Sequence, residues 1–205
     1  MNLFNFILVL AAFALVLSPS AGEIEMVTYC DNLPARMTGW DDNHTLTLFD
    51  PTLGYLVGVN LTVDLELVQN FSLENKGQAL RNFEADSIAE LLITMPNSVS
   101  ISVKTVGSMS EEAAGFDGVL DYSGPSGKTI EGMTNMSSIT LEYANISDFM
   151  AQVPGEIISL PASLNLDGET RVPGNSVFIA EAFAGSKICI TYTYESKSIQ
   201  GGDEL

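Results

Sequence analysis

Val59-Asn60-Leu61-Thr62-Val63-Asp64-Leu65-Glu66-Leu67 alternates without a break: every odd position is apolar and every even one polar. Successive side chains of an extended chain point to opposite faces, so this stretch reads as a strand with one dry and one wet face. Ser98-Val99-Ser100-Ile101-Ser102-Val103-Lys104 repeats the pattern. So does Lys187-Ile188-Cys189-Ile190-Thr191-Tyr192-Thr193-Tyr194, with Ile188, Ile190, Tyr192 and Tyr194 on one side.

Working outward, further strands are expected at Glu25–Cys30, Leu46–Phe49, Ala89–Met95, Val119–Tyr122, Ile139–Tyr143, Glu156–Leu160 and Ser176–Phe183. Turn signals separate them: Asp50-Pro51, Asn75-Lys76-Gly77, Met95-Pro96-Asn97, Ser123-Gly124-Pro125-Ser126-Gly127, Val153-Pro154-Gly155 and Val172-Pro173-Gly174-Asn175. Only Glu111–Gly115 and Ile146–Gln152 read as short helical turns. Many short strands punctuated by Gly and Pro predict an all-β chain, a single antiparallel β-sandwich of the jelly-roll or immunoglobulin-like kind with about nine to eleven strands. No repeat or low-complexity tract follows the first residues.

The first 22 residues read differently. An apolar run through Ile7-Leu8-Val9-Leu10-Ala11-Ala12-Phe13-Ala14-Leu15-Val16-Leu17 is followed by Ser18-Pro19-Ser20-Ala21-Gly22. This is the pattern of a secretory signal peptide cleaved near Ala21 or Gly22, although no basic residue precedes the run and Arg36 is the first one. The run is shorter than the roughly 20 residues of a membrane span. The expected organisation is a signal peptide over 1–22, one domain over 23–195 and a polar tail over 196–205. No transmembrane anchor is expected in the mature chain, and the closing Gly202-Asp203-Glu204-Leu205 lacks the basic residue of a retention signal. The expected location is therefore extracellular or at the cell surface.

Twenty-six acidic residues against eight basic ones give a net charge of -18. That balance repels nucleic acid and anionic lipid, and favours solubility, cations or basic partners. The two cysteines, Cys30 and Cys189, lie near opposite ends of the domain. In an exported chain a pair suggests one disulfide, two unpaired buried thiols being the competing reading. Cys189 shares a face with Thr191 and Thr193, and Cys30 shares one with Thr28. Both therefore belong to the wetter face, where a bridge would staple neighbouring first and last strands from outside the core. Five triplets mark candidate N-glycosylation at Asn43, Asn60, Asn70, Asn135 and Asn145.

Residues for chemistry are few. The one histidine, His44, would have to serve any Ser-His-Asp or Cys-His site, and no nucleophile elbow accompanies it. It reads as a satisfied or exposed residue, and no His or Cys pair has metal-ligand spacing. Gly124-Pro125-Ser126-Gly127-Lys128-Thr129 mimics the end of a phosphate loop, but Tyr122 stands where the motif needs glycine. Asp41-Asp42-Asn43, with Asp117 and Asp121, could supply oxygen ligands to calcium, yet turn formation is the simpler reading. No cofactor is expected. Two carboxylates serving glycoside hydrolysis can hide in any acidic sandwich, and nothing selects a pair.

The turn segments carry a resemblance. Thr38-Gly39-Trp40, Leu48-Phe49-Asp50-Pro51-Thr52-Leu53-Gly54-Tyr55-Leu56-Val57-Gly58-Val59 and Glu74-Asn75 open it. Phe116-Asp117-Gly118-Val119-Leu120-Asp121-Tyr122-Ser123-Gly124-Pro125-Ser126-Gly127 forms its middle, and Ala184-Gly185 with Ile190-Thr191-Tyr192-Thr193-Tyr194 its close. Together, from about Thr28 to Glu195, they resemble the choice-of-anchor E domain. That resemblance implies an exported prokaryotic, notably archaeal, surface β-sandwich and no reaction. Gly39 departs from the acidic residue expected there, and no sorting anchor is expected after the last strand. The motif residues read as a folding signature, with Gly54, Gly118 and Gly124 at turns needing positive φ. Leu53→Asp and Gly54→Val are both expected to lower stability.

The expectation is thus a non-enzymatic secreted or cell-surface module that binds an envelope component or itself. A structural subunit of a surface layer, sheath or filament is the alternative, and a secreted carboxylate-dependent hydrolase comes last.

Overall fold

The computed structural model describes residues 22–197. The expected signal peptide, up to residue 21, and the tail from residue 198 lie outside the described residues.

Among the described residues eight strands follow one another: β1 (Ile24–Arg36), β2 (Trp40–Thr47), β3 (Gly54–Asn75), β4 (Arg81–Thr94), β5 (Ser100–Ala113), β6 (Gly127–Glu142), β7 (Ile157–Arg171) and β8 (Ser176–Ser196). A 3-10 turn at Ile146–Phe149 stands between β6 and β7, within the second segment read as a helical turn. Two four-stranded antiparallel sheets, ordered β1-β8-β3-β6 and β2-β7-β4-β5, pack face to face.

The pairings explain the topology. β4 pairs with β5, β3 with β6, β2 with β7 and β1 with β8. The chain is therefore one long hairpin, folded about the turn at Met95–Val99 and then rolled up. Lateral ladders between β3 and β8 and between β4 and β7 close each sheet. This is the jelly-roll arrangement, one of the two sandwich kinds the sequence allowed.

The strands are longer and fewer than expected, because several carry on past the point where the apolar alternation weakens. β3 continues through buried Gln69 to Asn75. Two expectations are corrected. Glu111–Gly115 forms no helical turn, since Glu111, Glu112 and Ala113 extend β5 opposite Phe83, Asn82 and Arg81. Val119–Tyr122 forms no strand, since it lies in the β5–β6 loop, where Gly118 at φ 103° and Tyr122 at φ 54° break the extended chain.

The odd residues of β3 and the even residues of β8 form the dry face of one sheet. Val59, Leu61, Val63, Leu65 and Leu67 meet Ile188, Ile190 and Tyr192 there, all fully buried. Leu46, Leu91, Ile93 and Leu160 close the core from the other sheet. A smaller cluster of Phe71, Leu73, Phe83, Ala85 and Met109 fills the opposite end. Near the boundary sits Gln69, whose amide donates to the Gly107 carbonyl at 3.4 Å and accepts from Asn135 at 3.4 Å. Each fully buried large side chain contributes about 1.5–3 kcal/mol, so this core dominates the favourable side of folding.

Cys30 and Cys189 are bonded, and they face each other in the β1–β8 ladder with Cα atoms 4.1 Å apart. Cys30 is exposed and Cys189 half-buried. The bridge staples the first strand to the last from the wet face, as their parity predicts.

Candidate functional site

The period of two in β2 turns Trp40, His44 and Leu46 inward. β2 is the edge strand of its sheet, beside the edge strand β1 of the other. His44 therefore reaches across the gap between the sheets. Its Nδ1 lies 2.9 Å from Asp31 Oδ2 on β1, and its Nε2 lies 2.9 Å from Ser186 Oγ on β8. The Thr45 backbone N–H also donates to Asp31 Oδ2, at 3.1 Å. A carboxylate only accepts, so the neutral ring carries its proton on Nδ1, donates it to Asp31, and accepts a hydrogen bond from the serine hydroxyl at Nε2.

Burial pushes the His44 pKa below its ordinary value, while hydrogen bonding and charge from Asp31, and charge from Asp42, pull it back. Asp42 is held below the usual carboxylate range, first by the Arg36 guanidinium at 2.6 Å. That guanidinium also lies over the Trp40 ring, 5.3 Å from its centroid.

Carboxylate, imidazole and hydroxyl in this order match the relay of a serine nucleophile. Access does not match. The His44 side chain is fully buried and Ser186 is 3% exposed, with the hydroxyl turned to the ring. A cleft of about 260 Å³ borders Ser186, but Asp64, Glu66 and Lys187 line it, from the wet face of the sheet. The relay works as a bolt: one ring ties β2 of one sheet to β1 and β8 of the other. Of the two roles expected for His44, satisfied or exposed, the structure gives the first. Its two partners, 13 and 142 positions away, left no local signal.

The candidate calcium residues separate. Asp41, Asp42 and Asn43 lie on β2, while Asp117 and Asp121 lie in the β5–β6 loop. Asp117 accepts from the Val119 N–H and Asp121 from the Ser123 N–H, each closing a turn. Among the described residues, no three His, Cys, Asp or Glu side chains are grouped to hold a metal ion.

The glycosylation candidates differ in geometry. Asn43, Asn60 and Asn145 are exposed and Asn70 is half-buried. The half-buried Asn135 turns its amide inward onto Gln69.

The segments of the turn signature converge in pairs. Trp40 Nε1 donates to the Ala184 carbonyl at 3.1 Å. The Phe49 ring meets the Tyr192 ring edge-on at 5.6 Å and the Tyr194 ring at 5.3 Å. Glu74 accepts from the Tyr122 N–H at 2.9 Å, and among the described residues its other oxygen is buried without a partner. Asn75 donates to the carbonyls of Ala79, Ala113 and Ala114 and accepts from the Gly77 N–H.

No family model matches the chain, and no curated protein does. Among solved structures, a chain of Desmodium yellow mottle tymovirus is 7% identical, with a TM-score of 0.21 over 92% of this chain and 98% of that one. Infectious bursal disease virus of the Gx strain gives 10% identity and a TM-score of 0.19, over 91% of this chain and 42% of that one. The Gt strain gives 10% identity and 0.18, over 93% and 42%. Likenesses this distant carry no argument about what the chain does.

Proposed function

We propose that the chain is an exported, non-enzymatic module that binds an envelope component or neighbouring copies at or beyond the cell surface. The observation that carries this reading is the open backbone of two long edge strands. β5 and β6 run for 14 and 16 residues, and among the described residues each has a ladder on one side only, to β4 and β3. Such edges recruit an added strand unless charge, proline or a bulge blunts them. Each strand holds a single lysine, Lys104 or Lys128, and neither holds proline; β5 pairs without a bulge, while β6 slips once at Glu131-Gly132 and then pairs cleanly from Met133 to Glu142. The buried relay supports the same reading, because its hydroxyl is spent on structure. The resemblance to exported choice-of-anchor E domains supports it too.

A structural subunit of a layer, sheath or filament is the second reading. Exposed apolar residues at one end of the β1-β8-β3-β6 sheet favour it. Ile24 and Tyr55 flank Glu195 from either side, with Met26 and Val57 nearby, all more than half or about half exposed.

Fractionating the native cells, with and without a chelator, tests the proposal. Recovery in the envelope, released by chelator or detergent, is the expected result. A free monomer in the medium that binds no envelope preparation would overturn it.

A further inference from the structure

The two outer strands of the β1-β8-β3-β6 sheet are alike in burial and unlike in tether. β6 is held by chain at both ends. Among the described strands, β1 is joined to the rest at its far end only, through Met37-Thr38-Gly39, and it is pinned by Cys30–Cys189. Along its 13 residues only Leu33 is buried, while Val27 and Tyr29 are half-buried against the core. The seat is another matter. β8 lies deeper: Ala184, Ser186, Ile188, Ile190, Tyr192 and Tyr194 are all buried on its core face, with Tyr29 of β1 beside Tyr192, ring centroids 6.1 Å apart. A shallow edge strand thus lies along a deep one, behind a hinge of three residues.

We propose that β1 is exchangeable between copies: the β1 of one chain seats on the β8 of a second, in the register Cys30 opposite Cys189. The occupant is a second copy of this chain. Every contact of the closed form is remade in the exchanged one, including Asp31 to the partner's His44, so exchange demands no new complementarity. A short hinge that must turn sharply favours the open form. Here the β1 bulge between Leu33 and Arg36 presses so close to β8 that a Cβ at Gly185 would lie 2.6 Å from the Ala35 nitrogen.

The same two sulfurs then lock either state. Thiol–disulfide exchange with an oxidised small disulfide removes two electrons and two protons from the thiol pair, and the small disulfide leaves as two thiols. Closed within one chain, the bond gives a monomer. Closed between chains, it gives a covalent swapped assembly. The inference deepens the self-association arm of the proposed function, and the two fail separately. Release of a monomer into the medium would defeat surface retention without touching exchange.

Coexpression of full chains carrying C30S and C189S is the test, read on non-reducing gels. One variant keeps only Cys189 and the other only Cys30. Exchange predicts a heterodimer as the dominant covalent dimer, because those two thiols meet in the β1–β8 ladder. Homodimers as abundant as heterodimers, or no dimer, would overturn the proposal. Hydrogen exchange on the wild type guards against variants that fail to fold. After reduction by a dithiol, β1 amides should lose protection as a unit while β3 and β8 keep theirs. Undiminished protection of β1 would equally overturn it.

Discussion

Replacing Ser186 by alanine removes one hydroxyl and strands the Nε2 lone pair of His44 in the space between the sheets. An orphaned buried acceptor costs about 1–3 kcal/mol. In a domain of this size each kcal/mol moves Tm by about 2–4 °C, so S186A should melt roughly 2–12 °C below the wild type. Acid supplies a second axis. The His44 pKa in the folded chain is lowered from 6.5, so the unfolded chain holds the proton more tightly. The stability linked to this ring is fully present above about pH 6.5 and is lost as pH falls toward the lowered folded value. Urea unfolding of wild type, S186A and H44Q from pH 7.5 downward, in steps of about half a unit, separates the two effects. S186A should run below the wild type at every pH, since its ring still titrates. H44Q should lose the decline that begins near pH 6.5, until the carboxylates titrate at lower pH. An S186A curve within about 0.3 kcal/mol of wild type, or an unchanged acid slope in H44Q, would refute the bolt.

Four further outcomes are expected. Gly107→Ala would place a Cβ 1.8 Å from Gln69 Oε1 and 2.7 Å from the Asn135 amide, so it should cost about 1–3 kcal/mol by overpacking and be relieved by a second change, Gln69→Ala, in the same denaturant assay. Gly54 needs no positive φ; its Cβ would instead fall 2.0 Å from the Glu195 carbonyl, so Gly54→Val should cost about 2 kcal/mol or more, whereas Leu53, 39% exposed, should tolerate aspartate within about half a kcal/mol. Peptide mapping in a cell that glycosylates should find Asn43 and Asn60 occupied and Asn135 bare, because the Asn135 amide is turned inward. Reducing Cys30–Cys189, 159 positions apart, should lower stability by about 5 kcal/mol on the chain-entropy account, seen as a shifted urea midpoint.

The parts of the fold legible in the sequence are those governed by one short-range rule. Alternation in β3 and β8 specified which side chains are dry, and the same parity put both cysteines on the wet face. Rules acting at a distance stayed hidden. Nothing near His44 announces Asp31 or Ser186, and nothing near Gly107 announces the Gln69 amide that fills its missing side chain. Val119 and Leu120 were apolar enough to read as a strand, but the backbone at Gly118 and Tyr122 turns them out to solvent at 55% and 51% exposure. Hydrophobicity is a sound guide to strands only where the backbone can stay extended.

The turn signature has a physical reading once its partners are known. Thr38-Gly39-Trp40 answers Ala184-Gly185, through the indole that caps a carbonyl of β8. Leu48-Phe49 answers Tyr192-Thr193-Tyr194, through tilted and edge-on rings, with the Tyr192 hydroxyl donating to the Thr47 carbonyl at 2.9 Å. Glu74-Asn75 answers Tyr122 and the end of β5, through a buried carboxylate and a fully used amide. In each case one segment belongs to the first half of the rolled hairpin and the other to the second. A long hairpin with local alternation alone can slide in register, since each two-residue slip keeps its dry face dry. These polar and aromatic matches between distant halves work in one register only. The segments of the turn signature are therefore the ones that fix how the hairpin rolls up. Their spacing needs no ligand or reaction to account for it, and the search for a partner belongs at the sheet edges.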